Sequence, residues 1–176
     1  MRIPLALLAA LAVGIHQSAS TIEHGVLRLH YVQKPIGYER YTIDRDGGAL
    51  QLTSDFDFTD RGGRVQLAAT LRTRSDLTPI HFNAKGKTYR FVNVDSDIAV
   101  DGSRARVRAD GRDATATLPA AFFTVDGYAP FSAQMLMLRY WQQHGKPRAL
   151  PTLPGLSIDQ PNDVIIEMRG HDTFKV

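Results

Sequence analysis

The sequence predicts a mainly β protein: one twisted antiparallel sheet or half-barrel of about eight to ten strands, with a single helix from the C-terminal half packed in or on it. Three observations predict it. Apolar and polar residues alternate with period two over most of the chain, turns rich in Gly and Asp interrupt that alternation at short intervals, and only the segment around Tyr140 carries a helical apolar arc. The chain has 176 residues, 43% of them hydrophobic and 22% charged, with fourteen Gly, nine Pro and no Cys, which suits one globular domain around one core. Without Cys there is no disulfide framework, thiolate zinc site, iron–sulfur ligation or cysteine nucleophile.

Residues 1–20 have the layout of a secretory signal. Met1-Arg2 is a short positive start, Ile3 to Ile15 an almost unbroken apolar run, and His16 to Ser20 a small, polar end with a cleavage position before Thr21. The apolar run is shorter than the ~20 residues a bilayer span needs. The expectation is an extracytoplasmic protein, periplasmic or secreted, with no stable membrane span after cleavage and one β-rich domain over 21–176. With Arg2 removed, 20 basic side chains face 18 acidic ones, so no general basic field exists and nucleic acid is not an expected partner.

Gly25 to Lys34 and Tyr38 to Arg45 have strand composition and are expected to be separated at Pro35-Ile36-Gly37. Asp46-Gly47-Gly48 is a tight turn, after which Leu50, Leu52, Phe56 and Phe58 alternate with Gln51, Thr53, Asp55 and Asp57. Asp60 to Gly63 closes the next hairpin, and Val65, Leu67, Ala69 and Leu71 carry the dry face back. Asp76 to Pro79 is a loop; Ile80 to Lys85 and Thr88 to Val94 are expected to flank a turn at Gly86-Lys87. Ile98 to Val100 and Arg104 to Ala109 flank Asp101-Gly102, a strong hairpin signal. These links are too short for parallel crossovers, which take a dozen or more residues.

The helix is expected from Ser132, as N-cap, to His144, before Gly145 and Pro147. Leu136, Met137, Leu138, Tyr140 and Trp141 cover more than half its circumference, so it calls for burial on more than one side. Leu150 to Gly155 has the composition of a Pro-rich linker, Val164 to Met168 that of a strand, and Gly170-His171-Asp172 that of a turn. Thr173 to Val176 begins a further strand pattern, from which truncation at Val176 is expected.

No reaction motif emerges, and the expected catalytic and metal sets within this chain are empty. Gly155-Leu156-Ser157-Ile158-Asp159 departs from a nucleophile elbow at its fifth residue, and no phosphate-binding glycine motif occurs. His24, His30, His81, His144 and His171 are scattered rather than spaced as metal ligands. Asp55, Asp57 and Asp60 lack the Gly and Glu of a calcium loop. Arg104, Arg106 and Arg108 share one side of a strand; they form either a stripe for phosphates or lipid headgroups or a solvated face over buried Ala105 and Val107. Phe122, Phe123, Tyr128, Tyr140 and Trp141 crowd near the helix, either as the core of a small β domain or as the wall of an apolar ligand groove for a hydrophobic small molecule.

Several stretches resemble the N-terminal β region of secreted bacterial amidohydrolases, the imidazolonepropionase-like proteins. They are Gly37-Tyr38-Glu39-Arg40-Tyr41-Thr42-Ile43, Leu52-Thr53-Ser54-Asp55-Phe56, Asp76-Leu77-Thr78-Pro79, Ala84-Lys85-Gly86-Lys87-Thr88, the run Phe123 to Ser132, and Arg169-Gly170-His171-Asp172-Thr173. The resemblance implies a non-catalytic module whose partner is a downstream domain of the same polypeptide, a (β/α)₈ hydrolase of non-peptide C–N bonds that uses a divalent metal. That family's H-x-H pair and remaining ligands have no counterpart here, so no cofactor is expected in this chain. The alternative is a free-standing periplasmic carrier of an apolar or lipid-like ligand, by analogy of shape.

Overall fold

The computed structural model describes residues 19–60, 62–88, 92–109, 111–124, 130–155, 161–169 and 173–175. Eight strands form one open antiparallel sheet in chain order: β1 (Ser20–Tyr31), β2 (Lys34–Asp46), β3 (Ala49–Asp60), β4 (Gly63–Arg74), β5 (Pro79–Lys87), β6 (Asn93–Asp101), β7 (Arg104–Ala109) and β8 (Arg112–Thr117). Each pairs with its chain neighbour, as short connections require. The period-two pattern sorts the faces: Ile43, Leu52, Ala69, Leu71, Phe82, Ile98 and Val107 are buried on one side, while Thr53, Asp55, Arg72 and Arg106 are exposed on the other.

A second layer covers the dry face. It holds α1 (Phe131–Gln143), the short strand β9 (Phe123–Thr124) and β10 (Ala149–Leu153), with β11 (Asn162–Ile165) on the far side of β10. β9 and β10 pair in parallel, Phe123 with Thr152 and Leu153 with Thr124, so the helix is the crossover of a βαβ unit. The exclusion of parallel crossovers therefore holds for the meander alone. β12 (Glu167–Arg169) and β13 (Thr173–Lys175) form a separate two-stranded ladder. The expected turn at 170–172 lies outside the described residues, as does the signal segment up to residue 18.

Several local expectations are corrected. Pro35 and Gly37 lie within β2, and the chain reverses instead at Val32-Gln33, both at positive φ. Pro35 is tolerated at the start of a strand, and Gly37 is there for proximity, since a Cβ would stand 2.2 Å from the Asp57 carbonyl oxygen. Gly86 likewise belongs to β5 rather than to a turn: a Cβ there would meet the Gln66 carbonyl oxygen at 1.9 Å. The Pro-rich stretch after the helix contains β10, whose Leu150 and Leu153 are fully buried; burial outweighs composition. The strand expected over Val164 to Met168 is two, broken where Ile166 turns into the core. β8 was not anticipated, because its Ala- and Thr-rich text has little hydrophobic contrast.

Candidate functional site

Glu39 occupies the most unusual position among the described residues. It is a carboxylate on the dry face of β2 with no exposed surface. Its oxygens accept hydrogen bonds from the backbone N–H of Phe131 at 2.7 Å and of Ser132 at 3.1 Å, from the Ser54 hydroxyl at 2.9 Å, and from the Ser132 hydroxyl. The first turn of α1 thus receives its negative charge and its acceptors from a strand ninety-two residues earlier in the chain. Ser132 was expected as N-cap; Pro130 holds that position, without a side-chain cap bond, and Ser132 joins the first turn. Pro130 has no N–H to lose, and Glu39 supplies what a capping side chain would. A desolvated carboxylate is tolerated only when its lone pairs are filled in this way.

A second polar link lies nearer the sheet edge. Glu23 on β1 accepts a forked pair of bonds from Arg139 of α1, at 2.7 and 3.0 Å, and a third from the Tyr41 hydroxyl at 3.0 Å. The Arg139 guanidinium holds the Glu23 carboxyl below the ordinary glutamate range, while burial pushes the Tyr41 phenol up. Both networks fasten the helix to the two strands at one side of the sheet.

The aromatic residues singled out by sequence lie in the core. Phe122, Phe123, Tyr140 and Trp141 are each 4% exposed or less and pack together with Leu136, Met137 and Phe82. Their polar atoms are engaged within the fold: the Tyr140 hydroxyl accepts from the Phe122 N–H, and the Trp141 indole donates to the Pro147 carbonyl at 2.7 Å. Tyr128, the fifth member of the expected groove, lies outside the described residues. Phe122 borders a surface recess of about 310 Å³, shared with Pro79, Val100 and Leu118.

Among the described residues no group of three or more His, Asp or Glu side chains could hold a metal ion. His81 Nε2 lies 2.8 Å from Asp97 on the wet face of β5 and β6. His30 stands on β1, four strands away or ~19 Å at ordinary strand spacing, so the two imidazoles do not meet. Asp57 accepts hydrogen bonds from Nε and Nη2 of Arg64, which lower its pKa, and Asp55 faces solvent. Arg104, Arg106 and Arg108 are exposed and form no ion pair within the described residues; the cross-strand neighbours of Arg106 are the small Ala99 and Thr115. Two wet-face recesses of about 480 and 450 Å³ adjoin at Tyr38 and Arg40, whose guanidinium lies 4.1 Å above the Tyr38 ring. The Glu39 junction was not legible in the sequence, where Tyr38-Glu39-Arg40 has only the text of a charged strand.

No known family model matches this chain, and none of the curated proteins or solved structures gives a match.

Proposed function

We propose that this chain is the non-catalytic N-terminal module of an exported amidohydrolase-like protein, a scaffold that packs against a catalytic domain of the same polypeptide or shapes access to it. One observation carries the reading. Three of the stretches that resemble the secreted amidohydrolase N-terminal region meet at a single buried junction: Glu39 from the first, Ser54 from the second, and Phe131 with Ser132 from the run that opens the helix. Residues that act together in the fold are what a likeness of whole domains requires, and Phe131 and Ser132 join Glu39 from more than ninety residues along the chain. Gly37 and Gly86, from two of the quoted stretches, are likewise held by close backbone approach. The polar and aromatic groups with the greatest chemical potential, Glu39, Tyr140 and Trp141, are engaged in holding the helix on the sheet.

Export rests on the three-part layout of residues 1–20. The divalent metal and the C–N bond chemistry belong to the expected downstream domain, not to this chain. Reading the gene beyond the codon for Val176 tests the proposal. An H-x-H pair at the start of repeating strand–helix units is the expected result, and a stop codon within a few residues overturns it.

A further inference from the structure

The β1–β2 hairpin turns on two residues that are poorly suited to it. Val32 and Gln33 both adopt left-handed backbone, φ 46° and 63°, where Asn-Gly is the favoured pair and a β-branched residue is a rare outlier. Val32 is also 78% exposed and Tyr31 beside it 71%, the two most exposed large apolar side chains among the described residues. An apolar pair held out in water at a strained tip gains nothing from the fold, which points to contact outside it.

What surrounds the tip indicates the partner. Arg28 and His30 precede it on β1 and Lys34 follows on β2, at steps of ~3.4 Å per residue, all of them exposed. The wet-face recess beside them, bordered by Arg28, His30, Pro35, Tyr38 and Arg40, has no acidic residue in its wall. On the adjoining strands Glu39 is held by the helix N-terminus and Asp57 by Arg64, while Asp55 lies across from Arg40 in the next recess. At the same end of the sheet Val92 is 53% exposed, next to the connection that follows Lys87.

We propose that this end of the sheet docks on an anionic membrane surface, with Tyr31 and Val32 entering the interface and Arg28, Lys34 and His30 meeting the phosphate groups. Interfacial elements seat apolar side chains ~5–10 Å into the headgroup boundary, which at ~3.4 Å per residue places cations about two or three residues back at phosphate depth. An aromatic side chain with a hydroxyl suits that depth, and Arg28 and His30 offer a phosphate donors in a recess whose own wall carries no carboxylate.

The test is co-sedimentation of the full chain with phosphatidylcholine vesicles with and without phosphatidylglycerol. Binding is expected only with the anionic lipid, and it weakens as salt is raised. Val32→Asn suits the left-handed backbone and removes the apolar group, so its melting temperature holds or rises while vesicle affinity falls about tenfold. Lys34→Gln lowers affinity about fivefold, the effect of one surface cation near anionic lipid. Equal binding by the parent and Val32→Asn would mean that the apolar run of residues 3–15 drives association, and would overturn the proposal. Binding that ignores lipid charge, or none with either lipid, overturns it too and leaves the tip as a protein contact.

Discussion

The meander β1–β8 and the β9–α1–β10 cap that covers it are built on opposite principles. In the meander every strand pairs with its chain neighbour through a short link, so pattern and turn chemistry suffice to place it. The cap joins strands that are parallel and separated by a helix, and its helix begins at a proline without a side-chain cap of its own. Its position depends on Glu39, Glu23 and the shared core, all supplied from a distance. Local rules thus build the platform, and long-range polar contacts orient what rests on it.

Removing the long-range anchor is the strongest way to test that contrast. Glu39→Ala leaves two helix N–H groups and the Ser54 and Ser132 hydroxyls without their acceptor and opens a cavity, a loss of about 3–5 kcal/mol. Urea unfolding followed in two ways should then separate: the near-ultraviolet signal of Trp141 fails at lower denaturant than the far-ultraviolet β signal. Coincident transitions with a loss under about 1 kcal/mol would erase the distinction between cap and platform.

Gly86→Ala strikes the platform instead. The added methyl collides with the Gln66 backbone, and the φ of 150° disfavours a side chain in any case, so a cost above about 2 kcal/mol is expected. Here both spectroscopic signals should fall together, because the cap has nothing to rest on once β4 and β5 part. Survival of the far-ultraviolet signal alone would contradict the dependence of one layer on the other.

The smallest effect belongs to Glu23→Gln, at about 0.5–1 kcal/mol for a half-exposed forked pair. Its pH signature sharpens the comparison. Glu23 is held below its ordinary pKa by Arg139, so its contribution is full above about pH 4.3 and disappears as the pH falls through the folded-state value. Asp57, lowered by Arg64, and Asp76, lowered by the Thr78 backbone N–H, act in the same direction within the meander. Thermal melts below about pH 4 should therefore show the parent losing stability on acidification, with a shallower loss in Glu23→Gln. An unchanged acid slope would show that this link contributes nothing to seating the helix.

The sheet was legible wherever one face is wet. Leu50 to Phe58 and Val65 to Leu71 alternate cleanly because only one side of each strand meets the core, and Asp46-Gly47-Gly48 and Asp101-Gly102 turn where their backbone freedom allows. Legibility failed where glycine serves proximity instead of reversal, at Gly37 and Gly86, and where burial made strand of a Pro-rich run, at Leu150 to Leu153. The aromatic cluster was located in sequence without its role being decided, since groove and core draw on the same residue types; the fold buries Phe122, Phe123, Tyr140 and Trp141.

By itself the sequence determined the β class, the antiparallel meander and the helix near Tyr140, because period-two alternation, 3.6-residue periodicity and turn chemistry act between residues close along the chain. Only the tertiary structure decided that β9 and β10 lie parallel, that Glu39 closes the helix N-terminus and that Val32 stands strained at an exposed tip. Those features depend on which distant groups share a dry interior or are left facing water, and burial is a property of the folded chain as a whole.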